Sequence, residues 1–274
     1  MIVLTIVAVG PLIASVWESF HRHDLRMPWL GRPWIGFANY VAAVFDPRLI
    51  DALTHTFFFT IVSVALEIVC GLALAMALDS VRRGRGTARV IVLMPWALPT
   101  VVGALVWRFM FETETGVVGA LHIPGLQRAW LSDPVLAWVP ILLADTWKST
   151  PFVTLLLLTG LQAIDPALHE AARMDGAGPW RRFITITLPL LRPALIVAGI
   201  FRVLDAFRVF DLVYVLTGGG PGTATEIVSL YAFTTLFQDL RFGYGSALTV
   251  ITFGITFVLA LAYIRALSVG AEGR

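Results

Sequence analysis

The chain has 274 residues, of which 58% are hydrophobic and only 14% are charged, and its mean hydropathy is +0.82. Soluble domains carry about 25% charged residues, so this composition excludes a soluble globule and indicates a membrane protein. The net charge of +2 is too small to indicate nucleic-acid binding. The single cysteine, Cys70, excludes an intrachain disulfide and any cysteine-cluster metal site.

Six segments are long and apolar enough to cross a hydrocarbon core, which takes about 20 helical residues. In chain order they are 1–20, 57–78, 90–111, 135–159, 194–216 and 247–267. Alternating strands of a barrel are absent from the pattern, so an all-α membrane protein with six transmembrane helices is predicted. Segment 1–20 lacks the basic start of a signal peptide and is predicted to be retained. Prolines in the third and fourth segments predict kinks.

The distribution of arginine between the connections predicts the orientation. Segments 79–89 and 160–193 contain Arg82, Arg83, Arg85 and Arg89, and Arg173, Arg181, Arg182 and Arg192. Segments 112–134 and 217–246 contain Arg128 and Arg241, while segment 21–52 counts against the trend with Arg22, Arg26, Arg32 and Arg48. The balance places 79–89, 160–193 and both termini in the cytoplasm.

This orientation divides the chain into three parts. Residues 1–52 form the first transmembrane helix and an extracytoplasmic segment whose aromatic residues favour the membrane–water interface. Residues 53–267 form the core of the protein, and residues 268–274 form a cytoplasmic tail.

The cytoplasmic loop 160–193 has local signals for a short helix. Asp165 is a good N-cap, Pro166 fits the first helical position, and Gly176 is a stop signal about ten residues later. A helix this short is not stable alone in water, so it needs a surface to pack on. From periodicity alone, that surface is either the lipid headgroups or another protein. A second helical stretch is predicted at 180–188, with Pro189 and Pro193 bending the chain into the fifth span.

Charged residues inside the spans are candidates for function because they cost several kcal/mol in lipid unless they are paired or hydrated. Asp145 and Lys148 share a helical face and can pair. Along the fifth span the sign of the charge alternates through Arg202, Asp205, Arg208 and Asp211. This row either lines a water-accessible path or forms a structural ion-pair network. The lone charges Glu67 and Arg108 are expected to be interhelical partners.

Several motifs carry a resemblance to a known family. Glu170-Ala171-Ala172, Asp175-Gly176-Ala177, Phe183 and the stretch 188–193 resemble the EAA loop of ABC importer permeases. Segments 35–40 and 93–99 resemble carbohydrate-type permeases, and segments 205–211 and 216–222 together resemble the first of the two permeases in maltose-type and glycerol-phosphate-type sugar importers. Members of that family usually carry a basic cytoplasmic tail before the first span, so the natural start is expected to lie upstream.

The resemblance implies a type I ABC importer transmembrane domain of the MetI-like fold in a prokaryotic cytoplasmic (inner) membrane. It implies alternating access for an oligosaccharide, a disaccharide or a related polyol or sugar phosphate. The implied partners are a second homologous permease subunit, two ATPase subunits, an extracytoplasmic solute-binding protein and membrane lipid. The implied ATPase-coupling residues are Glu170, Ala171, Ala172, Asp175, Gly176 and Ala177. Because sugars are held by aromatic stacking and hydroxyl hydrogen bonds, the pathway candidates are Asp205, Arg208, Asp211, Tyr214, Trp107 and Trp147.

The energy source is expected on another polypeptide. A Walker A motif needs lysine after glycine, and the single lysine, Lys148, follows Trp147. ATP and Mg²⁺ are therefore expected on the partner ATPase, with no cofactor, metal or catalytic residue in this chain.

Two other classes of membrane protein share features with this sequence. An ion-coupled secondary transporter with six helices accounts for buried carboxylates but not for the EAA loop. An intramembrane protease needs a serine and a histidine at matching depth, and Ser246 has no such partner among His21, His23, His55, His122 and His169.

Overall fold

The computed structural model describes residues 2–81, 83–113, 115–120 and 128–272. Met1, Arg82, His122 and the end of the predicted tail, 273–274, lie outside the described residues. Regular structure in the described part is helical, apart from one isolated bridge between His21 and Trp34. The helices are α1 (Ile2–Ser19), α2 (Ala38–Val44), α3 (Pro47–Ser80), α4 (Arg85–Ala97), α5 (Thr100–Met110), α6 (Val117–Ala120), α7 (Trp138–Gln162), α8 (Pro166–Met174), α9 (Pro179–Arg182), α10 (Leu188–Phe207), α11 (Asp211–Leu216), α12 (Val228–Phe233) and α13 (Phe242–Glu272).

Four described helical segments are long and apolar enough to cross a membrane: Pro47–Ser80, Trp138–Gln162, Pro179–Phe207 and Phe242–Tyr263. The pair α4 and α5 forms a fifth when it is counted as one bent span. The first predicted span, 1–20, corresponds to α1, an 18-residue helix that packs along α13. Each of the six predicted segments thus overlaps a helix or a bent helix pair.

The third predicted span is sharply broken. Segment 90–111 was predicted as one kinked helix, but α4 ends at Ala97 and α5 begins at Thr100, with their axes 87° apart. Pro99 has no amide hydrogen to continue the helical ladder, and Leu98 before it has the extended backbone that a following proline favours. In the fourth span, by contrast, Pro151 lies inside the continuous helix α7.

The fifth predicted span begins earlier and ends earlier than expected. A helical rod runs from Pro179 to Phe207, and Pro189 and Pro193 lie within it without ending the helix. A π-helical turn, Phe183–Thr187, precedes Pro189 and lets the amide of Leu188 bond the carbonyl of Phe183. At the other end α10 stops at Phe207, and Asp211 starts the separate helix α11.

The apolar core forms three layers along the bundle, and α3 and α7 are its most closely packed pair. The central layer includes Phe59 and Ile141, both without exposed surface. Gly71 of α3 lies against Val153 of α7 so closely that a Cβ would come within 2.6 Å of Val153 Cγ1. The outer faces remain apolar, with Ile61 and Val69 each 66% exposed, as expected for helices that contact lipid or another subunit.

A cluster of polar side chains lies at the end of the bundle opposite α8. Asp46 caps α3 through the amide of Arg48 and accepts hydrogen bonds from the hydroxyls of Tyr231 and Tyr244. Arg48 forms a bidentate pair with Glu226, with nitrogen–oxygen distances of 2.7 and 2.8 Å. These contacts join the start of α3 to the segment between α11 and α13, so that segment is fixed to the bundle despite its short helices.

Candidate functional site

Loop 160–193 contains the short capped helix that its sequence predicts. The Asp165 carboxylate accepts a hydrogen bond of 2.9 Å from the amide of Ala167, and Pro166 is the first helical residue. The helix ends in a Schellman motif, in which the amide of Ala177 bonds the carbonyl of Ala172 at 2.8 Å. Gly176 has φ = +75°, a conformation that glycine adopts without strain.

Helix α8 is poorly anchored to the rest of the chain. Within the described residues it makes no more than isolated contacts with any other helix. Met174 at its end is 88% exposed, and Trp180 after the turn is 72% exposed. A nine-residue helix with exposed apolar side chains presents a surface on which a partner can pack.

A buried charge cluster, defined here as Glu67, Asp145 and Arg202, joins three helices in the middle of the bundle. Arg202 of α10 donates from two nitrogens to Glu67 of α3, one of them at 2.7 Å, and lies 3.3 Å from Asp145 of α7. Ser63 contacts both carboxylates. Glu67 has no exposed surface and Arg202 is 4% exposed, so removing either partner would leave a buried charge uncompensated.

The charged cavity adjoins this cluster and has a volume of about 530 Å³. Its polar lining includes Lys148, Asp205 and Arg208, and its walls include the rings of Trp96, Phe152, Phe201, Phe253 and Phe257. Asp205 contacts the buried Arg202, yet its own side chain is 66% exposed. Lys148 donates at 2.7 Å to the carbonyl of Leu98, which is left without a helical partner at the break between α4 and α5. The cavity thus combines charge, free hydrogen-bonding capacity and aromatic faces among membrane-spanning helices.

A second cavity, called the aromatic cavity, has a volume of about 420 Å³. Its lining includes Phe210, Phe233 and Phe237, with Ser229 and Thr252 among its polar groups. The two cavities share Arg208, Phe253 and Thr256 on their walls, so they adjoin each other. Together they form a continuous strip of aromatic and polar side chains on one side of the chain.

Comparison with known proteins places this architecture in a family. The family model described as "Binding-protein-dependent transport system inner membrane component" matches residues 67–268. The chain belongs to this family.

Curated relatives match over nearly the whole length. The chain is 43% identical over 266 residues to the trehalose/maltose transport system permease protein MalF of Thermococcus litoralis, covering 96% of this chain and 89% of that protein. It is 38% identical over 267 residues to the trehalose transport system permease protein SugA of Mycobacterium tuberculosis, covering 97% and 85%. It is also 38% identical over 266 residues to the sulfoquinovosyl glycerol transport system permease protein SmoG of Agrobacterium fabrum, covering 96% and 86%.

Solved permease structures have the same fold. One chain of a bacterial ABC transporter that imports the acidic polysaccharide alginate superposes with a TM-score of 0.82 and 24% identity, over 97% of this chain and 91% of that one. A chain of the MetNI methionine transporter superposes with a TM-score of 0.58 and 20% identity, over 81% and 95%. The fold is therefore that of a MetI-like importer transmembrane domain.

Two of the six pathway candidates of this permease line the charged cavity, and the other four are among the lining residues of neither cavity. Asp205 and Arg208 line the charged cavity, and Tyr214 stacks on Phe210 with ring centroids 5.3 Å apart. Trp107 and Trp147 contact each other where α5 packs on α7, with centroids 6.1 Å apart, and are not part of the charged cavity's lining. Asp211 bonds the amide of Leu212 at the start of α11.

The charge pairs predicted from helical spacing are only partly formed. Arg202 pairs with Asp205, and Arg208 lies 4.0 Å from Asp205, but the chain leaves the helix before Asp211. Asp145 faces Arg202 rather than Lys148, so the predicted pairing of Asp145 with Lys148 is wrong. The reading as a structural ion-pair network applies to Arg202, which belongs to the buried charge cluster, while Asp205 lies on a cavity wall.

The expectation for the lone charges is confirmed. Glu67 is the interhelical partner of Arg202, and Arg108 of α5 donates at 3.0 Å to the carbonyl of Val215 in α11. Sequence reasoning did not connect Glu67 with Arg202, because they are far apart in the chain. The only signal was that each is a charged residue within a predicted membrane span.

Proposed function

We propose that this chain is the membrane-spanning permease subunit of an ATP-driven sugar importer. The observation that carries the proposal is the charged cavity, with Asp205, Arg208 and Lys148 among apolar spans. Charged side chains at membrane depth typically mark a hydrated path or a substrate site. Aromatic faces beside hydrogen-bonding groups fit a sugar, whose rings stack and whose hydroxyls both donate and accept. The names of the trehalose and maltose relatives support the same substrate class.

The pathway is proposed to need a second, homologous permease subunit. Both cavities lie on the side of the chain rather than enclosed within it, so one subunit supplies only part of a pathway wall. A related subunit facing this strip would exclude lipid from Asp205 and Arg208. Alternating access then requires the two subunits to open toward each side of the membrane in turn.

Helix α8 is proposed to dock on one of two ATPase subunits. Its exposed end, with Met174 and Trp180, offers an apolar contact, and Ala171 and Ala172 permit close approach. Glu170 and Asp175 would add polar contacts, while Gly176 and Ala177 form the turn after the helix. ATP and Mg²⁺ would bind to those ATPases, and this chain would have no catalytic role and no cofactor of its own.

The proposed setting is a prokaryotic inner membrane, with loop 160–193 and both termini in the cytoplasm. An extracytoplasmic binding protein would deliver the sugar on the other side, near residues 21–52 and the turn at 218–222. One solved relative of this fold is a bacterial alginate ABC transporter in complex with a periplasmic protein bound to an alginate pentasaccharide, which supports a partner of this kind.

Transport in proteoliposomes tests the proposal. The chain, its companion permease, the ATPase and the binding protein are reconstituted with radiolabelled trehalose or maltose. Uptake is expected with ATP and not with an ion gradient alone. Uptake driven by a proton or sodium gradient without ATP would instead identify an ion-coupled secondary transporter.

The charged cavity is tested in the same assay by Asp205→Asn. The variant is expected to raise the half-saturating concentration for transport while the ATPase still co-purifies. Asp51→Asn is the control, because Asp51 is exposed at the start of α3, away from both cavities. An equal effect of the two variants would contradict the assignment.

Docking is tested by Glu170→Lys and Gly176→Pro. Either variant is expected to lower ATPase co-purification by at least about tenfold, which corresponds to about 1.4 kcal/mol of docking free energy. Glu112→Lys makes the same charge change at an exposed site beyond the end of α5, and it should leave co-purification unchanged. Normal assembly and normal transport in both loop variants would refute the assignment.

A further inference from the structure

A third cavity, called the interfacial cavity, lies between α8 and the ends of the long helices, with a volume of about 630 Å³. Its lining includes Ser80, the last residue of α3, and Leu161 from the last turn of α7. Arg182 lines it from the first turns of the Pro179–Phe207 rod. Two spans end here, and the Pro179–Phe207 rod and the bent α4–α5 pair begin here, so the cavity is at the depth of the lipid headgroups on one side of the membrane.

The charges around this cavity are not paired within the described chain. Its lining carries three arginines and two acids, which are Arg85, Arg173, Arg182, Asp79 and Glu170. None of the five forms an ion pair with another described residue. The Nε atom of Arg182 is buried and has no hydrogen-bond partner in the described structure. A buried guanidinium nitrogen without an acceptor is costly, so a ligand oxygen at this point would stabilise the fold.

We propose that the interfacial cavity binds the headgroup of a phospholipid, through its phosphodiester and the hydrogen-bond donors attached to it. Guanidinium groups match phosphate oxygens with paired hydrogen bonds, and Arg85, Arg173 and Arg182 supply three of them. Asp79 accepts from the ammonium or hydroxyl groups that such a head carries. Basic pockets between transmembrane helices at the cytoplasmic interface are suited to lipid heads.

The apolar part of the lining agrees with a lipid. Met76, Leu161 and Ile164 lie beside the charged groups and offer contact to the glycerol and the first acyl carbons. A bound head would connect α8 with the body of the bundle, to which α8 is otherwise poorly anchored. The proposal rests on the proposed function only in calling this face cytoplasmic.

Native mass spectrometry of the full chain in detergent tests the site. The probes are phosphatidylglycerol, phosphatidylethanolamine, phosphatidylcholine and inorganic phosphate, each titrated separately. The first two lipids are expected to bind at least about tenfold more tightly than phosphatidylcholine, whose head has no hydrogen-bond donor. Arg182→Gln is expected to weaken phosphatidylglycerol binding by at least about tenfold. Arg181→Gln is the control, since Arg181 is exposed and does not line the cavity.

Each other outcome overturns the proposal. Equal binding to wild type and Arg182→Gln, or equal effects of Arg181→Gln and Arg182→Gln, would show that no headgroup occupies the site. Displacement of lipid by millimolar inorganic phosphate would identify a free-phosphate site. If Arg182→Gln retained lipid as wild type does but no longer co-purified with the ATPase, these charges would belong to the interface with the ATPase. If Arg182→Gln does not fold, Arg85→Gln on α4 makes the same test. Because no transport is measured, failure here leaves the proposed importer function standing.

Discussion

Arg202 pairs with carboxylates that belong to two other helices, and it is the residue on which the buried charge cluster depends. The cost of breaking such a pair comes mainly from the charge left behind rather than from the attraction lost. In this chain the charges left behind are Glu67 and Asp145, both in the interior.

Arg202→Met is therefore expected to destabilise the protein by about 3–5 kcal/mol. The double variant Glu67→Gln with Arg202→Met removes one buried anion as well and should recover part of that loss. Arg208→Met is the comparison, because it removes an exposed arginine near Asp205. The ion pair between these two exposed residues is worth about 0–1 kcal/mol, so this variant should lose little stability. Thermal unfolding of the purified chain in detergent measures all three. A double variant less stable than Arg202→Met alone would contradict this account.

Asp46 gives stability a pH dependence at the other end of the bundle. Burial alone would raise the pKa of its carboxyl, but hydrogen bonds from Tyr231, Tyr244 and the first amides of α3 lower the pKa below the ordinary 3.8. A depressed pKa means that the stabilisation is complete above the ordinary value and is lost as the pH falls through the folded-state value.

The melting temperature of wild type is thus expected to exceed that of Asp46→Asn at pH 6, with the difference shrinking as the pH is lowered below about 4. Asp51→Asn, an exposed carboxylate on the same helix, serves as the control and should follow wild type. A difference between wild type and Asp46→Asn that stays constant from pH 6 to pH 3 would contradict the role given to the carboxylate.

At this scale the sequence identified which residues matter better than it identified their partners. Glu67, Asp145 and Arg202 were all recognisable as rare charges in apolar segments. Helical spacing, however, reports only neighbours on one helix, and it suggested Asp145 with Lys148. The residues that actually pair come from three helices. The spacing of residues along one helix cannot predict how different helices pack together.

Among the helices, the contact between α3 and α7 depends on the absence of a side chain at Gly71. Gly71→Ala would place a methyl group 2.6 Å from Val153 Cγ1, and the helices would have to separate. The expected cost is about 1–3 kcal/mol. Gly254→Ala in α13 meets nothing within 4 Å, so it should be neutral or slightly stabilising, because alanine favours helix by about 1 kcal/mol. Thermal unfolding of both variants is the measurement, and equal melting temperatures would contradict the close-packing argument.

Elements with local signals were predicted well, and elements shaped by distant contacts were not. The signals for α8 all lie within one loop: Asp165 is the N-cap, Pro166 is the first helical residue and Gly176 follows the end of the helix. The helix forms where these signals predict it. The break at Phe207–Asp211 was missed because no proline or glycine lies in that stretch to interrupt the helical pattern. The side chains of α11 are instead directed by packing on α5 and α7. The 87° bend at Pro99 lies between these two cases: the proline predicted that the helix would kink, but it did not predict the size of the kink.

For the whole molecule, the proposed orientation gives a labelling prediction. In a Cys70→Ser background, Met174→Cys is expected to react with a membrane-impermeant maleimide only in inside-out vesicles. Arg22→Cys is expected to react only in right-side-out vesicles or intact cells. Both positions are exposed and lie at opposite ends of the bundle. Labelling of both from the same side would contradict the six-span topology, and the reverse pattern would invert it.

The rod from Pro179 to Phe207 connects the two regions on which the proposed mechanism depends. At about 1.5 Å per residue its 29 residues extend about 43 Å, from the turn after α8 to the wall of the charged cavity. Such a rod acts as a lever: a tilt of about 5° about its Pro179 end displaces the far end by about 4 Å, more than a hydrogen-bond length. In the proposed mechanism, a displacement of this size would make or break the contacts between Asp205 and a bound sugar.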